Sequence, residues 1–105
     1  MEVKDFLMRL PNRVAPEAIV DKSTCFHFDL SGEEPCQVTV KIENGKCEAI
    51  EGFVGAAKCV VKAKSEDLIG ISKGTLNPMM ALFTGKLKLS NQGEMLKYAK
   101  VFGFM

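Results

Sequence analysis

The period of the hydrophobic positions changes twice along the chain. Residues 3–10 place apolar side chains at i, i+3, i+4 and i+7, which predicts an amphipathic helix that ends near Pro11. A further turn of helix is expected at residues 16–20, because proline is favoured at the first helical position. From residue 24 to residue 64 the period is two, and from Ser65 it is helical again.

The alternating part of the chain predicts a meander of three strands and, after a loop, a fourth. Strands are expected at residues 24–30, 36–42, 46–51 and 59–63. A turn is expected at Ser31–Pro35, and Glu43-Asn-Gly45 is a strong signal for a two-residue hairpin. The small residues between Gly52 and Ala57 form the loop that precedes the fourth strand.

The last forty residues are predicted to form three helices and a short strand. Ser65 is a good N-cap for the first helix, and Gly74 stands where a helix commonly ends. The second helix has Asn77 as its cap and Gly85 at its end, and the strand follows at residues 86–89. Asn91 and Glu94 resemble a capping box at the start of the last helix, which carries Met95, Leu96, Tyr98, Ala99 and Phe102. Residues 1–105 are therefore predicted to form one α+β domain, a mostly antiparallel sheet covered on one face by helices.

The helix that begins at Pro78 is apolar nearly all round. Met79, Met80, Leu82 and Phe83 point in different directions on a helix of about two turns, so one stripe cannot contain them. Either the helix is sandwiched inside the core, or one side packs on the sheet and the other lines a cavity. Methionine suits a cavity wall because its side chain is flexible and polarisable.

Composition excludes several classes of protein. The chain has 105 residues, is 47% hydrophobic and has a formal net charge of +1, so it can bury a core and lacks the basic excess of nucleic-acid-binding proteins. No apolar run reaches the roughly 18 residues of a membrane span, and the first residues do not resemble a signal peptide. We therefore expect a soluble, cytoplasmic protein that binds no nucleic acid.

Four cysteines, Cys25, Cys36, Cys47 and Cys59, occur without any Cys-x-x-Cys pair. They could combine with the single histidine, His27, into a metal site after folding. The alternative is that they are reduced, small hydrophobic residues, since three of them alternate in step with apolar neighbours. We expect the second situation, with no metal and no cofactor.

An enzymatic reading would rest on Cys25, His27 and Asp29, which offer a nucleophile, a base and an orienting group. Residues i and i+2 on a strand point in parallel and lie about 7 Å apart, which is too far for a hydrogen-bonded triad. We therefore expect a protein that is not an enzyme and has no catalytic residues.

Lysines recur on one face of the last two predicted strands. Lys58, Lys62 and Lys64 belong to the fourth strand, and Lys86 and Lys88 belong to the fifth. They could meet an anionic membrane or a phosphate-bearing ligand, at roughly 1 kcal/mol for each lysine near an anionic surface. They could equally protect a sheet edge against pairing with another chain.

The chain resembles the sterol carrier protein 2 domain family at two neighbouring segments, Ser65–Leu68 and Gly74–Lys88. Phe28–Glu33 and the hairpin Glu43–Cys47 match the family's opening strands, so the resemblance runs over residues 3–102. Leu89-Ser-Asn-Gln-Gly93 departs from the Gly-Asp that the family often has before its last helix, and this change affects only a loop.

The resemblance implies a five-stranded sheet covered by helices, with an apolar tunnel between the two layers. Members of the family bind sterols, fatty acids and fatty acyl-CoA and move them between membranes, and some are modules of larger enzymes. This chain is accordingly expected to be a non-enzymatic lipid carrier that contacts membranes transiently. The alternative is an interaction or scaffold module that uses the same apolar groove for a partner protein. The natural lipid and the oligomeric state stay open.

The expected lipid site combines three helices. It consists of Leu68, Ile71, Met79, Met80, Leu82, Phe83 and Phe102. An empty tunnel would be costly for so small a domain, so it should be occupied, collapsed or closed when no lipid is bound. After Gly103, the apolar residues Phe104 and Met105 suggest that the tail docks over the tunnel mouth as a lid, or else completes the core.

Overall fold

The computed structural model describes residues 2–104, and its centre is a five-stranded sheet. The strands are β1 (Thr24–Ser31), β2 (Cys36–Glu43), β3 (Lys46–Glu51), β4 (Cys59–Lys64) and β5 (Leu87–Leu89). Their order in the sheet is β3-β2-β1-β4-β5. β1 and β4 are parallel, whereas the other neighbouring pairs are antiparallel. The expected α+β fold with a mixed sheet is confirmed.

The helices cover one face of this sheet. They are α1 (Glu2–Met8), α2 (Leu10–Arg13), a 3-10 turn (Pro16–Ala18), α3 (Ser65–Lys73), α4 (Pro78–Phe83) and α5 (Gln92–Phe102). The register places Phe28 beside Val38 of β2 and Val61 of β4, and all three side chains are fully buried. The alternation read from the sequence therefore separates a core face from an open face.

The N-terminal helix is divided differently from the prediction. Instead of one helix that ends near Pro11, α1 ends at Met8 and α2 begins at Leu10, with Pro11 in its first turn. Proline is tolerated there because the N–H that it lacks has no partner within the helix. Pro11 thus belongs to the start of a helix and not to its end.

The hairpin between β2 and β3 has the turn that its sequence predicts. Asn44 and Gly45 have φ values of 53° and 76°. Two consecutive left-handed residues are the mark of a type I′ turn, whose twist matches that of the flanking strands. This turn fixes the register that pairs Glu43 with Lys46.

Ser65 does not cap α3. The cap is Lys64, which makes no side-chain hydrogen bond, and Ser65 is the first helical residue. Its hydroxyl accepts a hydrogen bond from the backbone N–H of Glu34 at 2.9 Å, so it ties the helix to the β1–β2 turn. At the other end, the helix ends at Gly74 as expected, and Gly74 adopts the left-handed conformation common at helix ends.

At the start of the last helix, only one of the two hydrogen bonds of a capping box is formed. The side chain of Asn91 accepts a hydrogen bond from the N–H of Glu94 at 3.1 Å. The carboxylate of Glu94 accepts a hydrogen bond from the hydroxyl of Thr24 at 2.5 Å, so it does not complete a capping box. Glu94 instead joins α5 to the first strand, and both side chains are buried.

Candidate functional site

Helix α4 is short, and its start is fixed by local chemistry. The side-chain oxygen of Asn77 accepts hydrogen bonds from the N–H groups of Met79 and Met80 at 2.8 and 3.3 Å. Pro78 occupies the first turn, and Gly85, with φ 79°, follows the last residues. Of the six residues of α4, Ala81 is the buried one. The helix thus holds its large apolar side chains away from the deepest part of the core.

An apolar cavity of about 160 Å³ lies between β4, β5 and helices α3, α4 and α5. Its lining consists of Val61, Leu68, Ile71, Pro78, Met79, Leu82, Leu87, Leu89, Gln92, Met95, Leu96, Ala99 and Phe104. All of these residues are apolar except Gln92. A cavity with this lining selects hydrocarbon and offers almost nothing to a polar ligand.

The volume of the cavity is small for a ligand site. Ligand pockets usually occupy about 300–1,000 Å³. At about 24 cal/mol per Å³, a dry void of 160 Å³ costs about 4 kcal/mol. An empty pocket of about 300 Å³ would cost about 7 kcal/mol, which rivals the 5–15 kcal/mol net stability of a typical domain. A ligand of ordinary size therefore has to widen the cavity by displacing wall residues.

Two wall residues are placed where such a displacement is inexpensive. Met79 and Leu96 line the cavity and are nevertheless 65% and 64% exposed. They form the border between the cavity and solvent, which we call the mouth. Because methionine and leucine at a surface change rotamer easily, the mouth is the side at which the cavity can open.

The structure brings together four of the seven residues that the sequence suggested. Leu68, Ile71, Met79 and Leu82 line the cavity. Met80 and Phe83 lie outside the lining and are 58% and 89% exposed. Phe102 is buried but does not line the cavity, and its ring centroid lies 5.2 Å from that of Phe26.

Sequence reasoning missed the part of the site that α5 contributes. Gln92, Met95, Leu96 and Ala99 line the cavity, and they are spaced i, i+3, i+4 and i+7. The spacing alone could have identified this face. It was obscured because Tyr98 and Phe102, on the neighbouring face, are larger and form the core contacts. Leu87 and Leu89 of β5 complete the wall by strand alternation.

The tail after α5 is folded back against the core. Phe104 is 5% exposed, and its ring lies 5.7 Å from that of Phe6 and 6.2 Å from that of Phe28. It also lines the cavity. The tail thus docks on an apolar surface, as its sequence suggests, and it contributes to both core and cavity wall. Met105, the second residue of the suggested lid, lies outside the described residues.

The four thiols are free, and burial raises the pKa of each. The effect is largest for Cys47, whose pKa rises to about 11, chiefly through burial and secondarily through the nearby charge of Glu48. Protonated thiols are weak metal ligands and weak nucleophiles. Among residues 2–104, no three side chains of His, Cys, Asp or Glu are grouped as a metal site would require.

Cys25 and His27 contact a loop on the open face of the sheet. The Cys25 thiol and the His27 Nε2 atom lie 3.6 and 3.0 Å from the same acceptor, the carbonyl oxygen of Val54. The ring of Phe53 stacks on the His27 imidazole with centroids 4.7 Å apart. Thr39 holds the loop as well, since its hydroxyl donates to the carbonyl of Gly52 at 2.7 Å. These contacts anchor the loop, and they direct both the Cys25 thiol and the His27 imidazole to a backbone carbonyl.

The lysines of β4 and β5 border an open groove on the uncovered side of the sheet. The register places Lys62 directly opposite Lys88. The groove is also lined by Lys64 and Lys86, and by the acidic residues Asp29, Glu33, Glu66 and Asp67. Its lining is charged and solvent-exposed, so it differs in kind from the apolar cavity. Within residues 2–104, no helix has the length and hydropathy needed to cross a bilayer.

Comparison with known proteins agrees with this geometry. A sequence model of the SCP-2 sterol transfer family matches residues 3–103. Hydroxysteroid dehydrogenase-like protein 2 from Xenopus tropicalis is 34% identical over 99 residues, which cover 88% of this chain and 22% of that protein. The chain therefore spans less than a quarter of that relative's length.

Solved structures share the fold at lower sequence identity. Palmitated SCP2L2 from Aedes aegypti superposes with a TM-score of 0.71 and 20% identity, over 95% of this chain and 90% of that one. The sec-alkylsulfatase Pisa1 from a Pseudomonas species superposes with a TM-score of 0.77 and 21% identity. That match covers 95% of this chain and 16% of the sulfatase chain, so the same fold occurs as part of a much longer protein.

Proposed function

Because the chain belongs to the SCP-2 sterol transfer family, we propose that it binds the hydrocarbon part of a lipid in its apolar cavity and carries it between membranes. The ligand class is sterol, fatty acid or fatty acyl-CoA. The chain acts without catalysing a reaction, since its function is to shield hydrocarbon from water. The observation that supports this proposal best is the almost wholly apolar lining of the cavity.

The proposed site differs from the one suggested by the sequence. It keeps Leu68, Ile71, Met79 and Leu82 and adds the cavity face of α5 together with Phe104. Lipid enters at the mouth, where Met79 and Leu96 move apart as the cavity widens. Burying apolar surface contributes about 25 cal/mol per Å², so burial of a lipid chain offsets the free energy needed to widen the cavity. The palmitated relative has the same fold, which supports a fatty acid as one ligand.

Filling the cavity tests this proposal. Ala99 is 4% exposed and lines the cavity, so Ala99→Leu should occupy space that the ligand needs. We expect at least a tenfold weaker binding of a fluorescent fatty acid, measured by titration and by displacement with unlabelled sterol, fatty acid and acyl-CoA. Ala18→Leu is the control, because Ala18 is half-buried outside the cavity. Absence of saturable binding by the unmodified chain would contradict the carrier proposal.

A second candidate function is supported by the length of the relatives. The matched part is 22% of one relative and 16% of the sulfatase, so this fold also serves inside larger proteins. In that case the chain would be an accessory module that uses the apolar groove for a partner protein. Native mass spectrometry of protein purified without detergent separates the two functions. A carrier should retain lipid masses, whereas an accessory module should be free of lipid.

A further inference from the structure

The face of the sheet opposite the helices carries a group of lysines where β4 and β5 pair. Leu87 and Leu89 line the apolar cavity on the helix side, so Lys88 between them points to the opposite face. Lys62 is the cross-strand partner of Lys88 and lies on that same face. The open groove on this face has a volume of about 960 Å³. Its basic residues, which we call the lysine corner, are Lys62, Lys64, Lys86 and Lys88.

The positions of these lysines concentrate positive charge. Lys62 and Lys88 are directly opposed, and Lys64 and Lys86 come immediately after the last pair of the ladder. Directly opposed residues have β-carbons about 5 Å apart, and residues i and i+2 of one strand lie about 7 Å apart. Like charges at such distances repel each other. Among residues 2–104 the structure shows no ion pair for any of the four lysines, so this charge is not neutralised within the described chain.

Protection of the sheet edge explains only half of the lysine corner. β5 is an edge strand, where Lys86 and Lys88 hinder pairing with the edge of another sheet. Lys62 and Lys64 belong to β4, which lies between β1 and β5 and has no free edge. Their positions beside the lysines of β5 add repulsion without protecting anything. An anion bound above the corner would turn this repulsion into attraction.

The acidic residues of the groove lie toward its other side. They are Asp29 of β1, Glu33 of the β1–β2 turn, and Glu66 and Asp67 of the first turn of α3. The Glu66 carboxylate accepts a hydrogen bond from the N–H of Glu33 at 3.2 Å and lies against Gly32, so it is held at the turn. Asp29 is the acid next to the corner, because it is the neighbour of Lys62 in the register of β1 and β4. The β5 side of the groove is therefore basic.

The groove is accessible from solvent. The loop after β3 covers a different part of this face, where it is anchored at Cys25, His27 and Thr39. The groove lies at the end of the face where β1 and β4 end, and all four of its lysines are exposed. None of the described residues that line it is aromatic. The groove thus offers charge to a ligand but no surface on which a nucleobase could stack.

From this arrangement we propose that the lysine corner binds an anion with two linked phosphate groups, either free pyrophosphate or the diphosphate part of a nucleotide. Lysine binds phosphate as a point charge on a flexible stem, so several lysines can converge on neighbouring phosphate groups. A diphosphate reaches more than one ammonium group at once, whereas a single carboxylate or orthophosphate neutralises less of the corner. The site lies on the face opposite the apolar cavity and does not depend on the proposed lipid-carrying function.

Calorimetric titration at low ionic strength tests the choice of ligand. The probes are inorganic pyrophosphate, ADP, orthophosphate and a short oligoglutamate peptide. Pyrophosphate should bind at least about tenfold more tightly than orthophosphate, because it forms additional charge-assisted hydrogen bonds. ADP that binds like pyrophosphate supports recognition of the diphosphate alone, and tighter binding of ADP identifies a nucleotide as the source. Oligoglutamate that binds as tightly as pyrophosphate would overturn the proposal in favour of an acidic partner protein.

Substitutions in the groove test the position of the site. Lys62→Gln with Lys88→Gln should weaken pyrophosphate binding by about tenfold or more. Lys62→Arg with Lys88→Arg keeps both charges and should stay within about threefold of the unmodified chain. Asp29→Asn removes the negative charge next to Lys62 and should tighten binding several-fold. This gain distinguishes an anion site from lysines that only protect an edge, since edge protection gives Asp29 no effect on phosphate.

A matched control lies elsewhere on the surface. Lys22→Gln with Lys46→Gln changes the net charge equally at two exposed positions and should bind pyrophosphate like the unmodified chain. Pyrophosphate should also raise the melting temperature of the unmodified chain, and raise that of the Lys62→Gln, Lys88→Gln variant much less. The proposal is overturned if the unmodified chain binds no pyrophosphate, or if the glutamine variants of the corner and of the control bind it equally.

Discussion

At the scale of single residues, α4 buries its smallest side chain and exposes its largest. Ala81 is 0% exposed, whereas Phe83 is 89% exposed. The hydrophobicity of the segment predicted a helix with apolar surroundings but could not rank these positions, because six residues that are all apolar carry no amphipathic signal. Which position is buried depends on how closely the helix approaches the core, since the space at Ala81 has room for only a methyl group.

This close approach predicts that substitution is costly at Ala81 and nearly neutral at Phe83. Ala81→Leu forces extra methylenes into a packed site and should destabilise the fold by about 1–3 kcal/mol. Phe83→Leu should change the free energy of unfolding by less than about 0.5 kcal/mol, because it alters only an exposed side chain. Urea denaturation of both variants checks this, and equal midpoints would show that Ala81 is not tightly packed.

The half-buried thiol of Cys47 predicts a loss of stability at alkaline pH. Its pKa is raised from the ordinary 9.0 to about 11. Between these values the unfolded chain releases a proton that the folded chain retains, so stability falls as the pH rises from about 9 to about 11. Cys47→Ala should make the decline of melting temperature between pH 8 and pH 10 less steep. The other thiols should preserve part of the decline, and an unchanged slope would contradict the prediction.

At the scale of elements, sequence reasoning succeeded where the chemistry is local. The hairpin at Asn44 and Gly45, the cap of α4 at Asn77 and the end of α3 at Gly74 depend on neighbouring residues only. Ser65 failed as a predicted cap because a distant residue, Glu34, uses its hydroxyl. An N-cap signal gives no information about which backbone N–H group tertiary folding brings to the same oxygen.

Loss of the α4 cap should increase local opening at the mouth more than it lowers the stability of the whole domain. Asn77→Ala removes the acceptor for the N–H groups of Met79 and Met80, which should cost about 1 kcal/mol. Hydrogen exchange of residues 78–84 should accelerate. Exchange in the central strand β1 should change only as much as the lower free energy of global unfolding requires. Asn12→Ala, at an exposed site in α2, is the control. Uniform acceleration across the chain would show that α4 does not open separately.

At the scale of the whole molecule, the cavity depends on pairings that no local pattern reveals. The parallel pairing of β1 with β4 places β4, and β5 beyond it, in the same sheet, where α3 and α5 contact β4 and α4 contacts β5. Hydrophobic period predicted the strands and helices but not which of them enclose a void. The resemblance to a family implied the five-stranded sheet, and the apolar tail suggested that Phe104 docks near the cavity. Only the fold shows that the Phe104 ring packs against Phe6 and Phe28.

The sequence of the tail suggests that Phe104 and Met105 dock over the cavity as a lid. Truncation after Lys100 would remove Phe102, a core ring that is 1% exposed, and should therefore unfold much of the domain. Phe104→Ala isolates the residue that borders the cavity. It should enlarge the cavity, speed dissociation of a fluorescent fatty acid several-fold, and lower the free energy of unfolding by about 3 kcal/mol.

The control for lost stability is Val40→Ala. Val40 is fully buried on β2 and does not line the cavity, so this variant should lower the melting temperature without changing the dissociation rate. Stopped-flow dissociation and thermal unfolding of both variants distinguish a residue that lines the cavity from one that only packs in the core. If Phe104→Ala leaves the dissociation rate unchanged, Phe104 only completes the core. If Phe104→Ala accelerates release of the fatty acid while Val40→Ala does not, the tail closes one wall of the cavity. The faster release would then depend on where the substituted residue lies and not on the loss of folding stability, which both variants share.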